Sequence, residues 1–331
     1  MNQNKIQMPD PVRQFREAFF RLTDELSRVF VGHDELITDL LGAVMADGHV
    51  LLEGVPGLGK TLLARSLAGC LDLKFSRIQF TPDLMPADIT GSLQLQEDAA
   101  GVPRLTFRPG PLLANFVLAD EINRATPRTQ SALLEAMQEH QITAGDRTMK
   151  IPEPFTVIAT QNPIEQEGTY PLPEAELDRF IIKLNLGYPR EEEYSRILDL
   201  TTGTADNGVH AVCTGEEVLE MRRTVRSVLA EENAKSYAVH WVMSTQPDSE
   251  YCPAECRDML LRGAGPRAAQ GMILMSKVYA LLDGRTAIGP ADLDRAALPV
   301  LRHRIALRFE AQMSGETPDS VLNRLHEGLR K

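Results

Sequence analysis

A glycine-rich segment that directly follows an apolar run constrains this 331-residue chain more than any other feature. The run Val50–Leu52 is typical of a buried strand, and the segment Gly54–Thr61 (GVPGLGKT) leads from it into a helical pattern. Glycines at this spacing let backbone N–H groups converge on phosphates, and the start of the following helix adds positive potential. Lys60 would then reach the β- and γ-phosphates, and Thr61 would bind magnesium. The segment therefore predicts a site for ATP and Mg²⁺.

A second apolar run ends in two carboxylates. Phe116–Leu118 is followed by Ala119, Asp120 and Glu121. Asp120 at the strand tip is expected to hold magnesium, and Glu121 is expected to orient the attacking water or to accept its proton. An Asp-Glu pair after a strand is commonly structural, but the phosphate loop upstream favours the catalytic interpretation.

A third strand pattern, Val157–Thr160, ends in the amides Gln161 and Asn162. Asn162 is expected to hydrogen-bond the γ-phosphate or the water from a neighbouring strand tip. Asn is also common in turns for purely local reasons, so the order of the three elements carries this interpretation.

Short apolar runs alternate with helical patterns throughout the first half of the chain, which is typical of a parallel sheet with crossover helices. The expected strands are His49–Leu52, Lys74–Phe80, Phe116–Leu118, Phe155–Ala159 and Phe180–Leu184. Two hairpins are expected to interrupt them, one spanning 92–107 with its turn at 97–101, and one with Gly145-Asp146 as its turn. The predicted fold is an α/β domain with a five-stranded parallel sheet and two hairpin insertions.

Strand patterns stop near Tyr188, and helical patterns follow. Thr214 and Glu217 are spaced as a capping box, and helices are expected to begin near Pro266 and Pro290. We therefore expect an N-terminal helical lead (1–30), a nucleotide-binding α/β domain (31–187) and an all-α lid domain (188–331).

The order of these elements resembles the AAA+ ATPases, and three longer motifs resemble the MoxR group within them. The motifs are Arg77–Gly91 (RIQFTPDLMPADITG), Leu118–Ala125 (LADEINRA) and Gln161–Ala175 (QNPIEQEGTYPLPEA). The similarity extends from about Val31 to Arg304. It implies a P-loop NTPase fold and a hexameric ring in which each nucleotide lies between neighbouring subunits.

The resemblance also implies two arginines that contact nucleotide. Arg179 matches the arginine that reaches the γ-phosphate of the next subunit, and a salt bridge to Asp178 or Glu176 is its alternative role. Arg124 and Arg128 are weaker candidates for the contact with that γ-phosphate. Arg267 matches the second sensor, which would touch the phosphates of its own chain from the first turn of a lid helix, with an ordinary surface arginine as the alternative. The expected nucleotide-binding residues are Val31, Gly32, His33, Gly54, Val55, Pro56, Gly57, Leu58, Gly59, Lys60, Thr61 and Leu62.

Several kinds of ATP-driven task remain open at this stage. The resemblance favours a remodelling or maturation chaperone, and it implies a partner with a von Willebrand factor A domain, a client protein and, in a narrower version, metal or cofactor insertion. Pro82 and Pro86 stiffen the loop after the second strand, which offers no aromatic residue for threading a polypeptide. A nucleic-acid machine is disfavoured by the net charge of −11, and a magnesium-chelatase-like motor subunit is the other alternative.

The remaining composition predicts a cytoplasmic protein without membrane insertion. No apolar run approaches the length of a membrane helix, and the four cysteines are irregularly spaced. Trp241, the single tryptophan, is expected in the lid core, and His303 is expected on a helix surface.

Overall fold

The computed structural model describes residues 9–97, 103–144, 147–163, 168–203 and 208–329. The helices are α1 (Asp10–Val29), α2 (Asp34–Met45), α3 (Lys60–Cys70), α4 (Pro86–Thr90), α5 (Pro127–Glu139), α6 (Glu174–Leu177), α7 (Glu191–Thr202), α8 (Gly215–Ser227), α9 (Glu232–Ser244), α10 (Ala254–Arg257), α11 (Pro266–Leu282), α12 (Pro290–Leu301), α13 (Phe309–Met313) and α14 (Pro318–Leu329). The strands are β1 (Val50–Gly54), β2 (Phe75–Gln79), β3 (Gly91–Glu97), β4 (Pro103–Pro109), β5 (Phe116–Asp120), β6 (Gln141–Ala144), β7 (Arg147–Lys150), β8 (Thr156–Gln161), β9 (Ile182–Leu186), β10 (Leu260–Arg262) and β11 (Ala306–Leu307).

A five-stranded parallel sheet forms the centre of the first half, in the order β2-β5-β8-β1-β9. β5 is buried along its whole length, as is expected for an inner strand covered by helices on both faces. All five carboxyl ends lie at one edge of the sheet, which brings the segments after β1, β5 and β8 together. The α/β fold with five parallel strands is confirmed.

Both hairpin insertions are present. β3 pairs antiparallel with β4 from Gly91↔Pro109 to Glu97↔Pro103, and β6 pairs with β7 from Gln141↔Lys150 to Ala144↔Arg147. Residues 98–102 and the Gly145-Asp146 turn lie outside the described residues.

The C-terminal region is helical, as expected, but not entirely so. β10 and β11 form a two-stranded antiparallel pair that the sequence prediction missed, because strands this short carry almost no periodicity. Thr214 caps α8, accepting a hydrogen bond from the Glu217 N–H while the Glu217 carboxylate accepts one from the Thr214 N–H. Helices α11 and α12 begin at Pro266 and Pro290, as predicted.

One apolar core joins the N-terminal helix, one face of the sheet and the lid helices. Phe15, Phe19, Leu22 and Leu26 of α1 are buried in it, and α1 packs against α2, α3, α8 and α11. The N-terminal helix is therefore part of the packed structure. Burial of these side chains supplies most of its stability, since helices in proteins are stabilised mainly by packing of an apolar face and less by intrinsic propensity.

Trp241 is buried in the lid, where its indole N–H donates to Asp294 Oδ1 at 3.0 Å. The expected surface position of His303 is wrong. His303 is buried in the turn after α12, its Nε2 lies 3.0 Å from the Phe180 carbonyl oxygen, and burial lowers its pKa well below the usual value. The segment that follows α12 is folded under the start of β9, so its polar side chains bond the backbone there instead of facing solvent.

Candidate nucleotide site

The glycine-rich loop connects the end of β1 at Gly54 to the start of α3 at Lys60. Gly57 and Gly59 have φ values of +87° and +84°, a region that residues with a Cβ rarely adopt. The buried Lys60 ammonium donates to the Gly54 carbonyl oxygen at 2.6 Å, so its charge is held at the mouth of the loop. A phosphate bound in this loop would lie close to both this charge and the amino end of α3.

A largely apolar cavity of about 410 Å³ opens beside the loop. It brings together Val31, His33, Pro56, Gly57, Leu58, Gly59 and Leu62 of the expected nucleotide-binding residues. The lid supplies walls that sequence reasoning missed, namely Tyr188, Pro189, Tyr194, Ile197, Leu200 and Thr201. The α7 periodicity of Tyr194, Ile197 and Thr201 was the available signal. The cavity has the size and apolar lining of a site for a planar base.

Gly32, between the cavity-lining residues Val31 and His33, lies close to the lid. A Cβ on Gly32, whose φ is +80°, would lie 2.5 Å from the Glu193 carboxyl carbon. The buried Glu193 carboxylate in turn accepts the Arg190 backbone N–H at 2.7 Å, a hydrogen bond that lowers its pKa. The positive φ at position 32 favours glycine, because residues with a Cβ rarely adopt this conformation.

Asp120 lies buried at the carboxyl end of β5 and has two neighbours that fix its carboxylate. Thr160 of β8 donates its hydroxyl to Oδ1 at 2.6 Å. Arg77 of the edge strand β2 donates to Oδ2 from Nε at 3.1 Å and from Nη2 at 2.7 Å. Sequence reasoning missed both residues, although their positions on strands beside β5 follow from the sheet order.

Glu121 follows Asp120 in the left-handed conformation, with φ of 56°. Its backbone N–H donates to Thr160 Oγ1 at 2.9 Å, which stabilises this uncommon conformation. Its Oε2 accepts a hydrogen bond from Gln79 Nε2 at 2.8 Å and lies 3.3 Å from Arg124 Nη1. Gln79 was also missed. It shares a strand face with Arg77, and the alternation around the buried Ile78 was the signal that places both on the site side.

Asn162 is buried immediately after β8. Because β8 lies between β5 and β1, its tip separates the two carboxylates from the phosphate loop. The sheet order therefore brings Lys60, Thr61, Asp120, Glu121 and Asn162 to one edge.

Thr61 and Asp120 offer hydroxyl and carboxylate oxygens, the hard donors that magnesium prefers, from two elements that meet at this edge. The residues present therefore fit a magnesium ion that accompanies the nucleotide.

The two expected arginines lie elsewhere. Arg179 and Arg267 line a cleft of about 220 Å³ together with Gly48, His49 and Ile181, residues that precede β1 and β9. The cleft therefore lies at the amino ends of the strands, one five-residue strand, or about 16 Å, from the phosphate loop.

The expectation that Arg267 contacts the phosphates of its own chain is wrong in this structure, because α11 packs at the amino ends of the strands. A Cβ on Gly271, in the second turn of α11, would lie 3.5 Å from the Ile181 carbonyl oxygen. Arg267 Nε lies 4.0 Å from Asp178 Oδ2 instead.

The salt bridge considered as the alternative role of Arg179 is formed with neither Asp178 nor Glu176. Asp178 Oδ1 pairs with Arg304 Nε at 2.7 Å, and Glu176 Oε1 accepts a hydrogen bond from the Ser131 hydroxyl at 3.1 Å. Arg179 Nε is buried and lacks a hydrogen-bond partner among the described residues. Of the weaker candidates, Arg124 lies beside Glu121 of its own chain and Arg128 is exposed on α5.

None of the helices that the structure describes is both long and apolar enough to cross a membrane.

Comparisons with known proteins agree with this geometry. Residues 49–182 match the ATPase family associated with various cellular activities (AAA), and residues 254–325 match the AAA lid domain. The chain is 41% identical to Chaperone MoxR1 of Mycobacterium tuberculosis, covering 91% of this chain and 79% of that protein. It is 32% identical to Protein MoxR of Methylorubrum extorquens, covering 93% of each.

Among solved structures, the crystal structure of a proposed ATPase from Cytophaga hutchinsonii superposes with a TM-score of 0.88 at 37% identity, covering 96% of both chains. Sequence, fold and site geometry lead to the same assignment. The chain belongs to the MoxR family of AAA+ ATPases, and its enzymatic activity is ATP hydrolysis.

Proposed function

We propose that this protein is a magnesium-dependent, ring-forming AAA+ ATPase that remodels or matures a client protein. One observation supports the ring. The phosphate loop and the two carboxylates lie at the carboxyl ends of the strands, whereas Arg179 and Arg267 lie at the amino ends. A single chain cannot place both at one nucleotide. A second copy supplies the arginines when successive copies meet head to tail.

Each residue then has a distinct task in hydrolysis. Lys60 and the loop N–H groups bind the β- and γ-phosphates, and Thr61 and Asp120 hold magnesium, which neutralises charge on the phosphates when bound. Glu121 accepts the proton of the attacking water, and Asn162 orients that water or the γ-phosphate. The neighbouring copy's equivalents of Arg179 and Arg267 stabilise the charge that develops on the transferred phosphate.

A remodelling task agrees with the surface of the nucleotide domain. The β3–β4 hairpin exposes Leu93 and Leu95, two apolar side chains on one strand face that suit transient contact with a protein. The loop after β2 exposes Met85 but no aromatic side chain, which favours a switching motion over processive threading. The relative named as a chaperone supports the same task. By family resemblance, the proposal also includes a partner with a von Willebrand factor A domain, the insertion of a metal or cofactor into a client, and a cytoplasmic location.

The test uses Glu121→Gln in the full chain. This change keeps the shape of the side chain but removes the proton acceptor, so ATP turnover should fall by about 10²–10⁴-fold while nucleotide binding persists. Loaded with ATP, the variant should hold its client, and that client should be absent from a matched capture with Lys60→Ala, which cannot retain nucleotide.

Hydrolysis at the wild-type rate by Glu121→Gln would remove Glu121 from its role. ATPase activity stimulated by DNA at moderate salt, with no protein retained by the variant, would replace the chaperone task with a nucleic-acid task.

A further inference from the structure

Asp120, the carboxylate assigned to magnesium, is already paired with a cation of the protein. Arg77 donates two hydrogen bonds to Oδ2, and Thr160 donates one to Oδ1. The Asp120 side chain is 10% exposed and the Arg77 side chain is 44% exposed. The guanidinium therefore covers one carboxylate oxygen from the solvent side of the edge strand.

Arg77 is connected to the second carboxylate as well. The same Nη2 atom that binds Asp120 also donates to Gln79 Oε1 at 2.7 Å, and Gln79 Nε2 donates to Glu121 Oε2 at 2.8 Å. A continuous chain of hydrogen bonds thus runs from the metal carboxylate to the residue that activates water. Any movement of Arg77 changes the surroundings of both.

We propose that Arg77 is a positioning residue that holds Asp120 until magnesium binds, and that the metal must displace it. The inference rests on the proposed magnesium-dependent ATPase function. A divalent cation beside Asp120 repels the guanidinium and competes for the same oxygen. The Arg77 side chain is 44% exposed and lies on the edge strand β2, so its guanidinium can move away from Asp120 into solvent without disturbing the core.

The competition has a direct thermodynamic consequence. An ion pair that must break before the metal binds raises the magnesium concentration needed for tight nucleotide binding. Removing Arg77 should therefore lower that concentration. A residue that only orients Asp120 for the metal would have the opposite effect when removed.

The experiment measures the affinity of the full chain for a fluorescent, non-hydrolysable ATP analogue over a series of free Mg²⁺ concentrations. Arg77→Ala should lower the half-maximal Mg²⁺ concentration by roughly twofold to fivefold, the range for losing a partly exposed ion pair. Arg77→Gln should shift it in the same direction. Arg77→Lys, which restores a point charge without the two-pronged fork, should return it to within about twofold of wild type.

Arg223→Ala is the matched control, because it removes the same charge from an exposed ion pair on α8. It should leave the Mg²⁺ dependence unchanged. An unchanged or raised Mg²⁺ requirement in both Arg77→Ala and Arg77→Gln would overturn the displacement. If the affinity of the wild-type chain itself ignores Mg²⁺, the assignment of Thr61 and Asp120 fails, and the inference fails with it.

Discussion

Arg304 joins the lid to the sheet, and its removal should destabilise the protein strongly. The side chain is buried and its Nε donates to Asp178 Oδ1 at 2.7 Å. It also donates to the backbone carbonyl oxygens of Phe180 at 2.7 Å, Asp178 at 3.0 Å and Ile181 at 3.1 Å. Burial lowers the pKa of Arg304 below its ordinary value, although the Asp178 carboxylate acts in the opposite direction. Since Asp178 and Phe180 flank Arg179, the same contacts fix the backbone of the proposed trans-acting arginine.

Arg304→Ala leaves these acceptors without their donor. Removing one partner of a buried ion pair costs about 3–5 kcal/mol. Two features of the structure place the loss at the lower end. The Asp178 side chain is 28% exposed, so water can reach it, and Phe180 keeps the hydrogen bond from His303. We therefore expect the free energy of unfolding to fall by about 3 kcal/mol.

Urea unfolding monitored by the fluorescence of Trp241 measures this loss, because the single tryptophan lies in the lid core. Arg223→Ala, on the exposed face of α8, should change the free energy by less than about 0.5 kcal/mol. The reasoning is refuted if Arg304→Ala costs less than about 1 kcal/mol while the control behaves as expected.

Two further predictions concern the ring and the pH dependence of stability. Rings that mix Lys60→Ala subunits with Arg179→Ala or Arg267→Ala subunits should regain ATPase activity that neither variant has alone. In such a ring, the intact phosphate loop of one subunit faces the intact arginines of its neighbour. No gain of activity in a verified mixed ring would assign the arginines to their own chain. His49 is buried with its Nδ1 accepting the Val157 N–H at 3.0 Å, and burial lowers its pKa to about 4. In the unfolded chain His49 binds a proton near pH 6.5, so the free energy of unfolding should fall by up to ~3 kcal/mol as pH drops from 6.5 to 4. Urea unfolding of His49→Gln over this pH range should show a shallower fall in the free energy of unfolding. A fall as steep as in the wild-type chain would show that His49 does not cause it.

Short-range patterns were sufficient for the individual elements of the site. The glycines, Lys60 and Thr61 form a local strand–loop–helix unit whose conformation depends on residues adjacent in sequence. The same holds for Asp120 and Asn162, because a strand ending in polar residues has only one edge at which to present them. Short apolar runs therefore led to the five strands, alternation to the hairpins and helical patterns to the main lid helices.

Contacts between segments distant in sequence were decided by packing. Arg77 and Gln79 donate hydrogen bonds to the two carboxylates at the end of β5 because β2 lies beside β5. The lid lines the apolar cavity because α7 packs near the phosphate loop. The position of Arg267 depends on where α11 lies on the sheet, which no local pattern specifies. His and Arg are residue types usually found at the surface, so no sequence pattern predicted that His303 and Arg304 would be buried. Both are buried because they bond the Phe180 carbonyl oxygen just before β9.

The sequence by itself thus determined the chemistry of phosphate binding, since that chemistry is written in residues close together along the chain. Only the tertiary structure decided that Arg267 lies across the sheet from the phosphate loop of its own chain. The reason is physical: the apolar surface of the lid sets its position, and the cations on it are carried to wherever that surface is buried.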